Sequence, residues 1–171
     1  MVGTGPACEG CLSDDHHLHF AVVRAYFRPM ASSTTPRRIV VGVDGSENAT
    51  HAVDWAIENA SKGDTVVLLT GWHPVIPPPE MAVAYVDDDS AMRKILDDQA
   101  KTARKTAEGT GVNIESKFAH VDPRNALLDE KCDMVVVGAR GHSGLAGLLL
   151  GSTADYVARH ATVPVVIIPK R

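Results

Sequence analysis

From residue 37 onward, short apolar runs alternate with stretches in which apolar residues return every three or four positions. Arg38 to Asp44 carries Ile39, Val40, Val41 and Val43, which predicts a strand buried on both faces. Asp44-Gly45-Ser46 predicts a turn into a helix capped by Ser46, along which Ala49, Ala52, Val53, Ala56, Ile57 and Ala60 make one apolar stripe. Thr65 to Gly71 predicts a second strand. Ser90 is expected to cap a second helix reaching about Glu108, with Ala91, Ile95, Leu96, Ala100, Ala103 and Ala107 on its apolar face and Gly109 and Gly111 ending it. Val112 to His120, where Val112, Ile114 and Phe118 alternate with polar residues, predicts the third strand, and Asp122-Pro123 starts a short third helix from Arg124 to about Glu130. Met134 to Val137 is wholly apolar and is closed by Gly138; Gly151-Ser152 opens a helix to about His160, with Ser152 as the expected N-cap. The last run, Val163 to Ile168, holds Pro164 and suits an edge strand.

Strands alternating with helices predict an α/β fold, a five-stranded parallel sheet with helices on both faces, Rossmann-like in type. Right-handed crossovers and a switch point between the first and fourth strands bring Asp44 and Gly138 to one crevice at the carboxyl ends of the strands. The segment from His73 to Asp89 contains Pro74 and Pro77 to Pro79 and leaves the second strand at that same end. It reads either as a lid or wall for a ligand or as a solvated loop.

The crevice invites phosphate chemistry. Gly138, Gly141, Gly144, Gly147 and Gly151 let the backbone approach an anion closely, and the first turn of the following helix offers unpaired N–H groups at a positive dipole end. The hydroxyls of Ser152 and Thr153 can reach phosphate oxygens or a phosphate-bound metal. Neither G-x-x-x-x-G-K-[ST] nor G-x-G-x-x-G is present, and tight turns alone would also account for the glycines. Asp44 is either a ligand for a ribose hydroxyl or a metal ion, or a turn aspartate bonded to its own backbone.

Gly138, two residues, Gly141, nine residues and Gly151-Ser152 make the pattern Gly-x2-Gly-x9-Gly-[Ser/Thr]. This resembles the signature of the ATP-binding branch of the universal stress proteins, and Arg38 to Ala60 is similar to that family's first strand and helix. The likeness runs from about Arg37 to Lys170. It implies a stress-response protein that binds ATP with magnesium. Gly138, Gly141, Gly151, Ser152 and Thr153 would hold the phosphates, with Arg140 or His142 at the outer one. Asp44, at the end of the strand after Val43, would take the ribose or the metal, and the backbone at Gly71 would line the adenine. A homodimer through the edge strand at 163–168 is implied as well. The chain departs from the family at Val121, where members usually have a glycine, and its third helix is about one turn shorter. Val121 to Asp133 therefore form a tight crossover, which bears on sheet stability there and on any ligand contact from Val121-Asp122. No residue stands out as a base for hydrolysis, so the chain is at most a weak ATP hydrolase. A nucleotide-independent, partner-binding dimer is the alternative.

Composition narrows the rest. A hydrophobic content of 44% in 171 residues suffices for one core, read as a single domain from 37 to 171. A net charge of −4 and a pI near 6.0 give no electrostatic case for nucleic acid or an anionic membrane. No apolar run reaches the length of a membrane span, and three cysteines offer no disulfide framework, so a cytoplasmic protein is expected. Residues 1 to 36 stand apart. They read as a disordered extension or a mis-set start, with Met30 as a second candidate start; Cys8, Cys11, His16, His17 and His19 would alternatively serve as zinc ligands or a redox sensor.

Overall fold

The computed structural model describes residues 35–73, 88–141 and 150–169. The Cys/His cluster before residue 35, most of the proline-rich segment, and Gly144, Gly147 and His142 lie outside the described residues. Within them strands and helices alternate as β1 (Arg38–Gly42), α1 (Glu47–Asn59), β2 (Thr65–Gly71), α2 (Ser90–Thr106), β3 (Asn113–Ala119), α3 (Pro123–Asp129), β4 (Met134–Gly138), α4 (Ser152–His160) and β5 (Val165–Ile168).

All strand pairs are parallel, and the order β3-β2-β1-β4-β5 reverses direction between β1 and β4. Alternate side chains of the central strands point to opposite faces. Ile39, Val41, Val66, Leu68 and Val136 pack under α1 and α2 with Ala52, Val53, Ala56, Ala100 and Ala103. Val40, Val67, Leu69, Val135 and Val137 pack under α3 and α4 with Ala126, Leu127, Ala154 and Val157. The small residues on the helices let them lie close to the β-branched sheet surface. That distribution, two consecutive helices on each face, is what right-handed crossovers require once the strand order turns back.

The two sheet edges differ in chemistry. Along β3 the side chains of Glu115 and Lys117 are exposed, with Glu115 paired to Arg38 and Lys117 to Glu130. Along β5 Val165, Val166, Ile167 and Ile168 are all half-buried. At the opposite end from the crevice, Asp64 is buried between the starts of β1 and β2. Its carboxylate accepts from the Arg37 N–H at 2.8 Å and the Ser61 N–H at 2.9 Å, and from Arg37 Nε at 2.9 Å and Nη2 at 2.6 Å.

The tight crossover expected between the third and fourth strands forms without loss of pairing. β3 pairs β2 from Thr65↔Asn113 to Gly71↔Ala119, and β4 pairs β1 through Ile39↔Met134 to Val41↔Val136. Asp122 is the N-cap of α3, accepting from the Arg124 N–H at 2.8 Å, and Pro123 occupies the first turn. The seven residues of α3 suffice because Ala126 and Leu127 bury the apolar contact. The 121–123 segment packs directly on β2: a Cβ at Gly71 would meet Pro123 Cα at 2.5 Å and the Val121 carbonyl oxygen at 2.9 Å. Val121 itself is 42% exposed.

Several boundaries move. β1 ends at Gly42 and β5 begins at Val165, so Val43, Asp44 and Val163 lie outside the strands proper. Ser90 is the first residue of α2, after Asp89, because the Asp88 carboxylate takes the Ser90 N–H at 3.0 Å and holds the turn one residue earlier.

Candidate functional site

The carboxyl ends of β1 and β4 open into a cleft of about 310 Å³. Val43, Asp44 and Ser46 line it from the turn after β1, and Gly138, Arg140 and Gly141 from the end of β4. Gly151, Ser152 and Thr153 border it at the start of α4, Gly71 at the end of β2 and Met92 from α2. Every sequence-predicted site residue within the described residues thus meets in one cleft. His142 lies outside them.

Each wall has a local cause. Val43 continues past β1 because its N–H donates to the Leu69 carbonyl at 3.0 Å and its carbonyl accepts the buried Thr70 hydroxyl at 2.9 Å. The next residue, Asp44, turns the chain: its Oδ1 accepts the Ser46 N–H at 2.9 Å, and Gly45 takes φ +83°. Ser46 then caps α1, its Oγ accepting the Ala49 N–H at 3.2 Å. The turn role of Asp44 therefore engages one carboxylate oxygen. The other, Oδ2, lies against Gly141 so closely that a Cβ there would overlap it.

Gly138 has a different reason to be glycine. A Cβ on it would stand 2.7 Å from Asn48 Cβ and 2.9 Å from the Asn48 carbonyl carbon, so its absence lets α1 settle against β4. Gly138→Ala is expected to cost about 1–3 kcal/mol of stability, as overpacking of a close backbone contact does, measured by urea unfolding. An unchanged midpoint would show that α1 can move away freely.

At α4 the N-cap is Gly151, not Ser152. Gly151 is extended at φ −74° and ψ 160°, and its N–H donates to the Ala139 carbonyl at 2.7 Å, which pins the cap one residue earlier. Ser152 and Thr153 consequently occupy the first turn, and no side chain caps their N–H groups. Among the described residues nothing accepts from the N–H groups of Gly141, Ser152, Thr153 or Ala154. They sit at the positive end of the helix dipole, in a wall built of backbone donors.

The rim beside Pro123 is held by charge. Arg124 binds the Asp122 carboxylate through Nε at 2.9 Å and Nη2 at 2.7 Å, and its guanidinium carbon lies 5.2 Å over the Tyr156 ring of α4. The Arg124 side-chain bonds, against some desolvation and helped by its N–H, its charge and that of His73, bring the Asp122 pKa down to about 2. Asp122 is thus a carboxylate at any physiological pH. Asp155, in the first turn of α4, is paired with Arg159 at 2.9 Å.

Sequence reading missed Asn48, Met92 and Leu127. Asn48 had a signal: it is a polar residue on the buried side of α1, beside Ala49, Ala52 and Val53.

Fold and site define a doubly wound α/β protein with a backbone-lined, anion-receptive crevice at its switch point. The model of the Universal stress protein family matches residues 35–169, and the chain belongs to that family. A universal stress protein of Mycolicibacterium smegmatis is 32% identical over 149 residues, 81% of this chain and 50% of the relative. One of Mycobacterium tuberculosis is 32% identical over 143 residues, 77% of this chain and 95% of the relative. The chain spans about half the length of several curated mycobacterial relatives that it matches. UspA of Lactobacillus plantarum shares the fold, with a TM-score of 0.64 at 21% identity over 80% of this chain and 99% of that one. A universal stress protein solved in complex with cAMP has a TM-score of 0.59 at 27% identity, covering 81% of this chain and 100% of that one.

Proposed function

We propose that this chain is a cytoplasmic, ATP-binding regulatory protein of the stress response, with the cleft as its nucleotide site. The observation that carries the reading is the convergence of the Gly141 and first-turn α4 N–H groups with the Asp44 carboxylate in one cleft. Backbone donors at a helix start suit phosphates. Gly138, Gly141, Gly151, Ser152 and Thr153 take the phosphates, and Arg140 or His142 the outermost one. Asp44 takes the ribose or the metal, with the adenine beside Val43 and Gly71. The relative in complex with cAMP supports an adenine nucleotide. Magnesium suits the donor set, since the Asp44 carboxylate and the Ser152 and Thr153 hydroxyls are hard oxygen ligands; phosphate oxygens and water would complete its shell.

Calorimetric titration of the purified chain, freed of co-purified nucleotide, should give a micromolar or tighter ATP complex with magnesium. Turnover should stay well below about 1 per second, because among the described residues of the cleft the one carboxylate, Asp44, is taken by the ribose or the metal and no other group is placed as a base for water. A folded protein without affinity, or one with ordinary enzymatic turnover, contradicts the reading.

Gly151 offers a sharper test. Its φ is negative, and a Cβ on it would meet only ordinary contacts, Arg140 Cα at 3.4 Å and the Ala139 oxygen at 3.5 Å. The fold does not require glycine there. Gly151→Ala should therefore cost no more than about 1 kcal/mol in urea unfolding, the ordinary loss when alanine takes an N-cap, while weakening ATP roughly tenfold, since the methyl stands where a phosphate would approach. Equal affinity would remove Gly151 from the site.

The apolar β5 edge, set against the charged β3 edge, supports a homodimer through residues 163–168. Sedimentation equilibrium should then give about twice 18.2 kDa; a monomer at micromolar concentration would rule this pairing out.

A further inference from the structure

Asn48 is the second residue of α1, 6% exposed, and its side-chain Nδ2 donates to the Arg140 carbonyl at 2.9 Å across 92 positions of sequence. Only the amide nitrogen can donate to a carbonyl, so this bond also fixes the orientation of the amide. Its Oδ1 is buried and has no partner among the described residues. A position this buried on the inner face of a helix is ordinarily filled more stably by an apolar residue. An amide whose nitrogen is bonded while its oxygen is not is therefore poorly explained by packing.

What it does follows from peptide geometry. No peptide bond among the described residues is cis, and in a trans peptide the C=O and the next N–H point in opposite directions. With the Arg140 carbonyl held toward Asn48, the Gly141 N–H is turned away from α1. The Gly141 nitrogen lies 3.7 Å from the Cβ position of Gly151, beside the first turn of α4. From the geometry we infer that Asn48 is a positioning residue: by holding the Arg140 carbonyl it aims the Gly141 N–H into the phosphate-binding end of the cleft. The close seat of Asn48 against Gly138 and of Asp44 against Gly141 supplies the second and third ties between the segments 44–48 and 138–141. The inference rests on the nucleotide reading above and adds to it a residue that itself touches no phosphate.

The test uses the full chain with ATP and magnesium, and the variants Asn48→Ala, Asn48→Asp and Asn48→Ser. Aspartate matches asparagine in shape but cannot donate as a carboxylate; serine is smaller but keeps a donor. Two readouts are needed: calorimetric affinity, and the Gly141 amide resonance in ¹⁵N-labelled protein without nucleotide. Alanine and aspartate should weaken ATP at least tenfold and shift the Gly141 resonance, while serine keeps affinity closer to wild type than alanine does. Wild-type affinity in both Asn48→Ala and Asn48→Asp overturns the inference, as does equal weakening in all three variants with Gly141 unmoved, which is what simple loss of packing would give. If the wild-type chain itself fails to bind ATP, the nucleotide reading falls. The aiming role is then decided by the resonance alone: displacement in the aspartate variant upholds it and an unmoved peak overturns it.

Discussion

Gly141→Val should lower the affinity for ATP at least about a hundredfold, roughly 2.7 kcal/mol, and leave the thermal midpoint within about 2 °C of wild type. Among the described residues, only atoms of the Asp44 carboxylate lie within 4 Å of a Cβ at Gly141, and the residue is exposed at the cleft. Nothing in the hydrophobic core is disturbed by a side chain there. The carboxylate, however, must leave its place, and the branched side chain screens the Gly141 N–H from an approaching phosphate. Two contacts of the proposed site are lost together. Calorimetry with ATP, paired with a thermal scan, checks both halves; retained affinity in a folded variant would remove the glycine segment from the phosphate site.

The second large effect is on stability, far from the cleft. Asp64→Ala should destabilise the chain by about 3–5 kcal/mol in urea unfolding, because it leaves a partly buried guanidinium and two backbone N–H groups without their acceptor. Burial by itself would raise the Asp64 pKa. The Arg37 and Ser61 N–H groups and the Arg37 side chain outweigh it and hold the group below its ordinary 3.8. A depressed carboxylate contributes stability that is present above the unfolded pKa and is lost as pH falls through the folded one. The wild type should therefore lose stability below about pH 4, and the alanine variant should lack that part of the acid slope. A variant with unaltered stability would mean that Arg37 and the two N–H groups find other partners.

The fold was legible because its core strands are buried on both faces. Ile39 to Val41, Val66 to Leu69 and Val135 to Val137 form unbroken apolar runs, and such runs between helical stripes leave few topologies. Caps were less legible. Whether Gly151 or Ser152 begins α4 depends on where the Gly151 N–H finds the Ala139 carbonyl, and the start of α2 depends on an aspartate turn at Asp88. The first is a matter of a backbone partner that side-chain identity does not encode; in the second, Asp88 and Asp89 both stand before Ser90, and the sequence does not say which of them takes its N–H.

The same limit applies to the site. Gly138, Gly141 and Asp44 were readable as chemistry, yet what fills the space beside each glycine was not. Asn48 backs Gly138, the 121–123 segment backs Gly71 and Asp44 backs Gly141. The shortened third helix, which from sequence cast doubt on the crossover, is accommodated by that packing of 121–123 on β2. Asn48 escaped notice because its partner is a main-chain carbonyl 92 residues away, and any residue can present a carbonyl.

The central claim, that this cleft receives the nucleotide's phosphates, is tested most directly by following ¹H–¹⁵N spectra of the labelled chain through a titration with ATP and magnesium. The largest shifts should fall on the amides of Gly141, Gly151, Ser152, Thr153 and Ala154, with smaller ones at Asp44 and Gly71 and little change along β3. Shifts centred on any other part of the surface, or none at saturating ATP in a folded protein, would contradict the account.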